Sequence, residues 1–114
     1  MADVLERKIF APGERIFREG ETGSCAYVIQ EGLVEISKGE GGDARVLGTI
    51  GKGGIFGEMA LLDSKPRMAS ARAKEATTTI VVTPMLFEQK LAKTDPFIRG
   101  LLKILVENIR TITK

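Results

Sequence analysis

The sequence predicts a mainly β domain with α: a β jelly roll, built as a double-stranded β-helix barrel, with C-terminal helices. Three observations predict it. First, 12 of the 13 glycines precede Lys65 and punctuate short apolar stretches, the pattern of consecutive strands and turns. Second, roughly seven or eight such stretches at this spacing need a sandwich or small barrel to bury their apolar faces, and the jelly roll is the economical choice. Third, Thr83-Pro84 and Asp95-Pro96 each place a capping residue before a proline suited to the first helical position, so the chain turns helical after Thr83.

Taken in order, residues 7–10 and 15–17 flank the turn Pro12-Gly13, and residues 27–30 and 33–37 flank Glu31-Gly32. In 33–37, Val34 and Ile36 share one face with Glu35 between them on the other, as a half-buried strand requires. Residues 45–50 follow the loop 39–43. Strands at 70–73 and 77–83 complete the barrel, the latter rich in β-branched residues. Helices follow over 84–93 and 96–113. In the second, the apolar residues from Phe97 to Ile112 cover an arc of about 200°, against the ~100° that one-sided packing needs. Either this helix touches something besides its own barrel, or it is wedged between the barrel and the preceding helix. No repeat or interdomain linker interrupts the chain, so 1–114 reads as one domain, with a barrel over about 7–83 and helices over about 84–114.

Composition narrows the function. With 114 residues, 43% hydrophobic and 28% charged, the chain is a folded domain with a modest core, and no apolar run approaches the ~20 residues needed to span a bilayer. Histidine is absent, which removes Ser-His-Asp and Cys-His nucleophile systems and imidazole-ligated metal sites. The expectation is a protein that is not an enzyme and needs no metal or cofactor. The net charge of +2 predicts neither a nucleic-acid nor a membrane partner. The single cysteine, Cys25, fits a reducing interior as a small half-buried residue, and MADVLERK has no apolar signal core, so the expected location is cytoplasmic. Gly51-Lys52-Gly53-Gly54 lacks the Gly-Lys-Ser/Thr ending of a P-loop and reads as a turn.

The segment from Gly53 to Ala73 carries the chemistry. A helical turn beginning at Gly57 points unpaired backbone N–H groups outward, which favours an anion. Arg67, nine residues after Glu58, can complete that site, because guanidinium matches phosphate oxygens and keeps its charge when desolvated. The small residues Ala69 and Ser70 allow close approach of backbone. Glu58 repels a phosphate and fits only if it accepts a hydrogen bond from a hydroxyl, which a nucleotide sugar supplies. A salt bridge between Glu58 and Arg67, closing the loop without ligand, is the alternative.

Here the sequence strongly resembles the phosphate-binding cassette of cyclic nucleotide-binding domains, as in kinase regulatory subunits, bacterial catabolite activators and cyclic nucleotide-gated channels. The resemblance rests on Phe56-Gly57-Glu58-Met59-Ala60-Leu61-Leu62 and Pro66-Arg67-Met68-Ala69-Ser70. It extends upstream through Pro12-Gly13-Glu14, Phe17, Gly20, Tyr27-Val28-Ile29 and Gly32-Leu33-Val34-Glu35-Ile36, covering residues 9 to 95. It implies a regulatory domain with a short cassette helix, in which Arg67 pairs with the exocyclic oxygens of a 3′,5′-cyclic phosphate and Glu58 accepts the ribose 2′-hydroxyl. Backbone at Gly57, Glu58, Met59 and Ala60 and at Met68 and Ala69, beside Ser70, finishes the cradle. Ile36 and the strand around Gly48 lie where the family packs the base.

Two departures refine the expectation. Met68 stands where members favouring cGMP tend to carry a threonine that reaches the guanine, and a thioether cannot donate a hydrogen bond, so the expected ligand is cAMP and, less so, cGMP. The chain ends at Lys114, which leaves little room for the long final helix that lids the base in many members, and none for a DNA-reading, kinase or channel domain, so the base is expected to be covered either by apolar residues near Ile109 and Ile112 or by a second chain. The partners expected are the cyclic nucleotide and, through the C-terminal helix, an effector or second chain, without direct nucleic-acid or membrane binding. The rival from another class is a degenerate module that keeps the fold and serves as an interaction or dimerisation surface. A cupin-type enzyme is disfavoured by the missing histidines.

Overall fold

The computed structural model describes residues 6–39, 41–63 and 65–112. Eight strands run β1 (Glu6–Phe10), β2 (Arg15–Phe17), β3 (Ala26–Glu31), β4 (Leu33–Lys38), β5 (Arg45–Gly51), β6 (Ile55–Phe56), β7 (Ser70–Ala73) and β8 (Thr77–Val82). They form two four-stranded antiparallel sheets, ordered β1-β8-β3-β6 and β2-β7-β4-β5. Three α-helices, α1 (Met59–Asp63), α2 (Pro84–Leu91) and α3 (Pro96–Ile112), and a short 3-10 turn over Gly41–Asp43 complete the described elements. This is the jelly roll that the glycine punctuation predicts.

Sequentially distant strands become neighbours because each sheet must bury one face against the other. Phe17, Ile29, Val34, Phe56 and Ala71 make the buried cluster, with Ile16, Tyr27, Ile36 and Ile50 packed against it. Full burial of a residue the size of Ile29 or Phe56 stabilises the fold by about 1.5–3 kcal/mol. The predicted alternation in β4 holds: Val34 is buried while Glu35 lies on the other face. The turn at Glu31-Gly32 needs its glycine twice over. Its φ is +116°, and a Cβ there would stand 2.6 Å from the Cα of Thr77. Thr77, fully buried, donates from its hydroxyl to the Glu75 carbonyl (2.8 Å) and accepts from the Leu33 N–H (3.3 Å). Thr79, equally buried, donates to the Lys8 carbonyl (2.9 Å), so the polar atoms of β8 are satisfied inside the sandwich.

Both helix starts follow the predicted chemistry. Thr83 accepts from the Leu86 N–H (3.2 Å) with Pro84 at the first helical position, and Asp95 accepts from the Phe97 N–H (2.8 Å). The helix expected over 84–93 ends at Leu91, followed by hydrogen-bonded turns that close on Lys93 and Thr94. Residue 113, the expected end of the last helix, lies outside the described residues. Strand β6 is too short, at two residues, to have a periodicity of its own. Gly51-Lys52-Gly53-Gly54 is a turn, with Gly54 N–H donating to the Gly51 carbonyl at 2.9 Å.

The last helix is not wedged between barrel and α2. It packs on α1, and Val106 is its buried residue. Phe97 is 73% exposed and Ile112 81%, so the broad apolar arc faces largely outward.

Candidate functional site

The link from β6 through α1 to β7 folds back over the barrel mouth and carries Arg67 inward. Its backbone is tied on both sides: Arg67 N–H donates to the Glu21 carbonyl (3.0 Å), and the Arg67 carbonyl accepts from Gly20 N–H (2.6 Å). The side chain, 7% exposed, donates from Nη2 to the Cys25 carbonyl (2.8 Å) and from Nη1 to the Gly57 carbonyl (3.1 Å). The guanidinium carbon lies 4.1 Å from the Phe17 ring centroid, a contact that favours the cation. Phe17 in turn packs on Phe56 and Tyr27, whose rings stack at 5.2 Å, so an aromatic column from the core supports the charge.

This cation has no carboxylate partner among the described residues, and its Nε is buried without a hydrogen-bond acceptor. Burial lowers the Arg67 pKa, with Tyr27 and Cys25 pulling it back up and Arg110 adding to the fall. Tyr27 is raised, first by burial and then by Cys25, against the pull of Arg67. A buried cation with an orphaned donor is costly unless an anion completes it. The backbone makes room for nothing larger at two points. A Cβ on Gly57, whose φ is +77°, would stand 2.9 Å from Nη1, and one on Gly23 would stand 2.8 Å from Nε.

Beside this guanidinium opens a cavity of about 230 Å³, lined largely by apolar atoms. Of the residues expected at the site, Ile36, Gly57, Glu58, Met59, Ala60, Arg67, Met68 and Ala69 all line it. Glu58 is exposed and makes no ion pair with Arg67, so the loop-closing salt bridge is not formed. Two expected residues lie elsewhere. Ser70 begins β7 and shares its outer face with Arg72, while Ala71 faces the core; its Oγ accepts from the Glu19 N–H at 2.9 Å. Gly48 pairs with Ile36 across β4 and β5 but is exposed, and the space where a Cβ would stand is open, so it forms no wall of the cavity.

Ile109 of α3, one of the two isoleucines expected near the base, lines the cavity and Ile112 does not. Arg110, which sequence reasoning missed, lines it too. Arg110 donates from Nε and Nη2 to the two carboxylate oxygens of Asp63, the last residue of α1, and from Nη1 to the Pro66 carbonyl (3.1 Å). Both side chains of this ion pair are largely buried, at 14% and 12% exposure. Nothing in the spacing reveals the pair, because 47 residues separate its members and the helical pattern counts Arg110 only as polar-face charge. The Cys25 carbonyl and Gly23 were also beyond reach, since one acts through backbone and the other by having no side chain.

Comparison with known proteins agrees with this geometry. The family model for the cyclic nucleotide-binding domain matches residues 7–94. The chain is 39% identical over 77 residues to a cAMP-dependent protein kinase regulatory subunit of Mycosarcoma maydis, covering 68% of this chain and 15% of that protein. It is 37% identical over 79 residues to a cyclic AMP receptor protein of Thermus thermophilus, covering 68% of this chain and 37% of that one. The chain therefore spans well under half the length of these relatives. Among solved structures, the cAMP-bound form of the EAL enzyme Bd1971 superposes with a TM-score of 0.85 at 33% identity, over 94% of this chain and 29% of that one. The Thermus thermophilus catabolite activator protein superposes with a TM-score of 0.78 at 29% identity, over 95% of this chain and 51% of that one. By its sequence match and by the buried arginine beneath its cassette, the chain belongs to the cyclic nucleotide-binding domain family.

Proposed function

We propose that this chain is a sensor that binds a 3′,5′-cyclic nucleotide, cAMP in preference to cGMP, and passes the signal on by movement of its C-terminal helices. The observation that carries the proposal is the buried Arg67 guanidinium, without a carboxylate and with a free Nε, at the wall of an apolar cavity. Such a site takes an anion attached to a flat apolar group. In this reading Arg67 holds the cyclic phosphate with the backbone of Gly57–Ala60 and Met68–Ala69, the unpaired Glu58 carboxylate takes the ribose 2′-hydroxyl, and Ile36 with Ile109 covers the base. The names of the relatives support cAMP. Bd1971 is matched in a cGMP-bound form as well, so the preference rests on Met68, which has no donor for guanine.

The moving part is α3. It is held to the body by one buried side chain and the Arg110 clamp, and its edge forms part of the cavity wall. Its exposed apolar face, including Phe97, Leu101, Ile104 and Leu105, is the surface offered to an effector or a second chain. No catalytic step or cofactor is assigned to the chain, residues 1–114 act as one domain, and the setting is cytoplasmic. Among the described residues no helix is long and apolar enough to cross a membrane.

Calorimetric titration with cAMP and cGMP tests the reading, together with melting. Ligand at about 100 times its dissociation constant should stabilise the fold by about 2.7 kcal/mol. Unchanged melting at millimolar concentrations of both nucleotides would leave the interaction module as the better account.

A further inference from the structure

A second pocket, of about 420 Å³, opens on the outer face of the β2-β7-β4-β5 sheet, away from the cavity beside Arg67. Four arginines line it: Arg15 from β2, Arg18 just after it, Arg45 from β5 and Arg72 from β7. None of the four has an ion pair or a side-chain hydrogen bond among the described residues. The carboxylate that shares the pocket, Glu35, is already engaged by Lys74 at 3.3 Å. Arg15 and Arg72 stand directly opposite each other in the β2–β7 register, a like-charge pairing that weakens a sheet. The fold thus concentrates positive charge here without neutralising it.

We infer that this pocket binds an oligophosphate, a compact group carrying several phosphates in a row. Each guanidinium offers a planar fork of donors that fits phosphate oxygens in pairs and holds its charge at any physiological pH. Apart from Val46, the remaining walls are small or polar, Ser37, Ser70, Gly39 and Gly41 among them, and no aromatic side chain lines the pocket. A single nucleic-acid strand calls for aromatic stacking platforms, and a protein interface for buried aromatic anchors. A concave pocket with neither, walled by arginine, suits a small dense anion. That anion comes either as free polyphosphate or as the triphosphate tail of a nucleotide.

The inference is independent of cyclic nucleotide binding, and the test keeps the two apart. The full chain is titrated calorimetrically with inorganic tripolyphosphate, ATP and orthophosphate at about 50 mM salt and again at about 200 mM, where screening is stronger. We expect one tripolyphosphate per chain, bound more weakly at the higher salt, with orthophosphate far weaker. The double substitution Arg15→Ala/Arg72→Ala should reduce the affinity at least ~10-fold, whereas Arg67→Ala and saturating cAMP should leave it unchanged. ATP binding as well as tripolyphosphate identifies a nucleotide tail as an acceptable source; tripolyphosphate alone identifies free polyphosphate. Both arginines are exposed, so the double variant should fold, and circular dichroism checks that. Should it fail to fold, Arg45→Glu replaces it and should show the same loss. Absence of binding at the lower salt, binding that survives loss of the arginines, or displacement by cAMP would each overturn the inference.

Discussion

Replacing Arg67 with alanine removes the feature on which the site depends, and its consequences for binding and for folding point in different directions. For binding, the phosphate loses a desolvated cationic partner, a change that costs about 2–5 kcal/mol. At about 1.4 kcal/mol per decade this is a fall in cAMP affinity from roughly 30-fold to a few thousand-fold. For folding, the Gly57 and Cys25 carbonyls lose their donors, at about 1–3 kcal/mol for each group left buried and unpaired. Against that, the unligated protein no longer buries an unpaired ion, a penalty of several kcal/mol. The two effects offset, so stability without ligand should stay within about 1 kcal/mol of the parent, or roughly 4–8 °C in Tm. Calorimetry measures the first quantity, and scanning fluorimetry with and without cAMP measures the second. Arg67→Lys should fall between, because ammonium keeps the charge but not the fork. The reasoning fails if Arg67→Ala melts far below the parent while the folded fraction binds cAMP normally, since the guanidinium would then be a structural strut.

Three further outcomes are expected. Glu58→Gln should weaken cAMP but barely affect its 2′-deoxy analogue, a difference of about 1.5–3 kcal/mol in calorimetry; equal losses would show that Glu58 organises the loop. Met68→Thr should narrow the preference for cAMP over cGMP by up to about 1.5 kcal/mol, read from paired titrations, with cAMP affinity retained. Arg110→Ala, and separately Asp63→Asn, should free the C-terminal end of α3, raise amide exchange in that helix and speed cAMP dissociation. Slower dissociation in both variants would mean that the helix obstructs the ligand.

What the sequence made legible was local. Alternation in β4, the glycine turn before Leu33, and the Thr83 and Asp95 caps are chemistry confined to a few neighbouring residues, and all stand where expected. The cavity-lining residues from Gly57 to Ala69 were legible because one continuous segment carries them. Ser70 shows the limit of that reading. A strand begins there and its two-residue period turns the side chain to the opposite face, so adjacency to Ala69 did not mean a place in the cavity wall. Gly48 fails for a related reason, since facing Ile36 across the sheet gives a glycine no side chain with which to line a wall. Contacts such as Arg67 to the Cys25 carbonyl and Arg110 to Asp63 depend on tertiary closure, across 42 and 47 residues, and no local pattern encodes them.

The clamp between Arg110 and Asp63 also bears on how binding becomes a signal. A ligand shifts a two-state helix only by its difference in affinity for the two positions, and moving from 1:99 to 99:1 takes about 5.5 kcal/mol. A helix sunk in the core would resist any such shift, but α3 buries only Val106 among its described side chains. It is held by Val106, by packing on α1 and by the buried ion pair, whose two charges regain hydration if they part into water, so that opening it costs less than the roughly 3–5 kcal/mol of deleting one partner from a buried pair. That part of the hold lies within the free energy a ligand can supply. The clamp closes on Asp63 and Pro66, the two ends of the loop that precedes Arg67. In the proposed reading, an adjustment of that loop around a phosphate reaches Arg110 directly, and the apolar face from Phe97 to Leu105 belongs to the same helix.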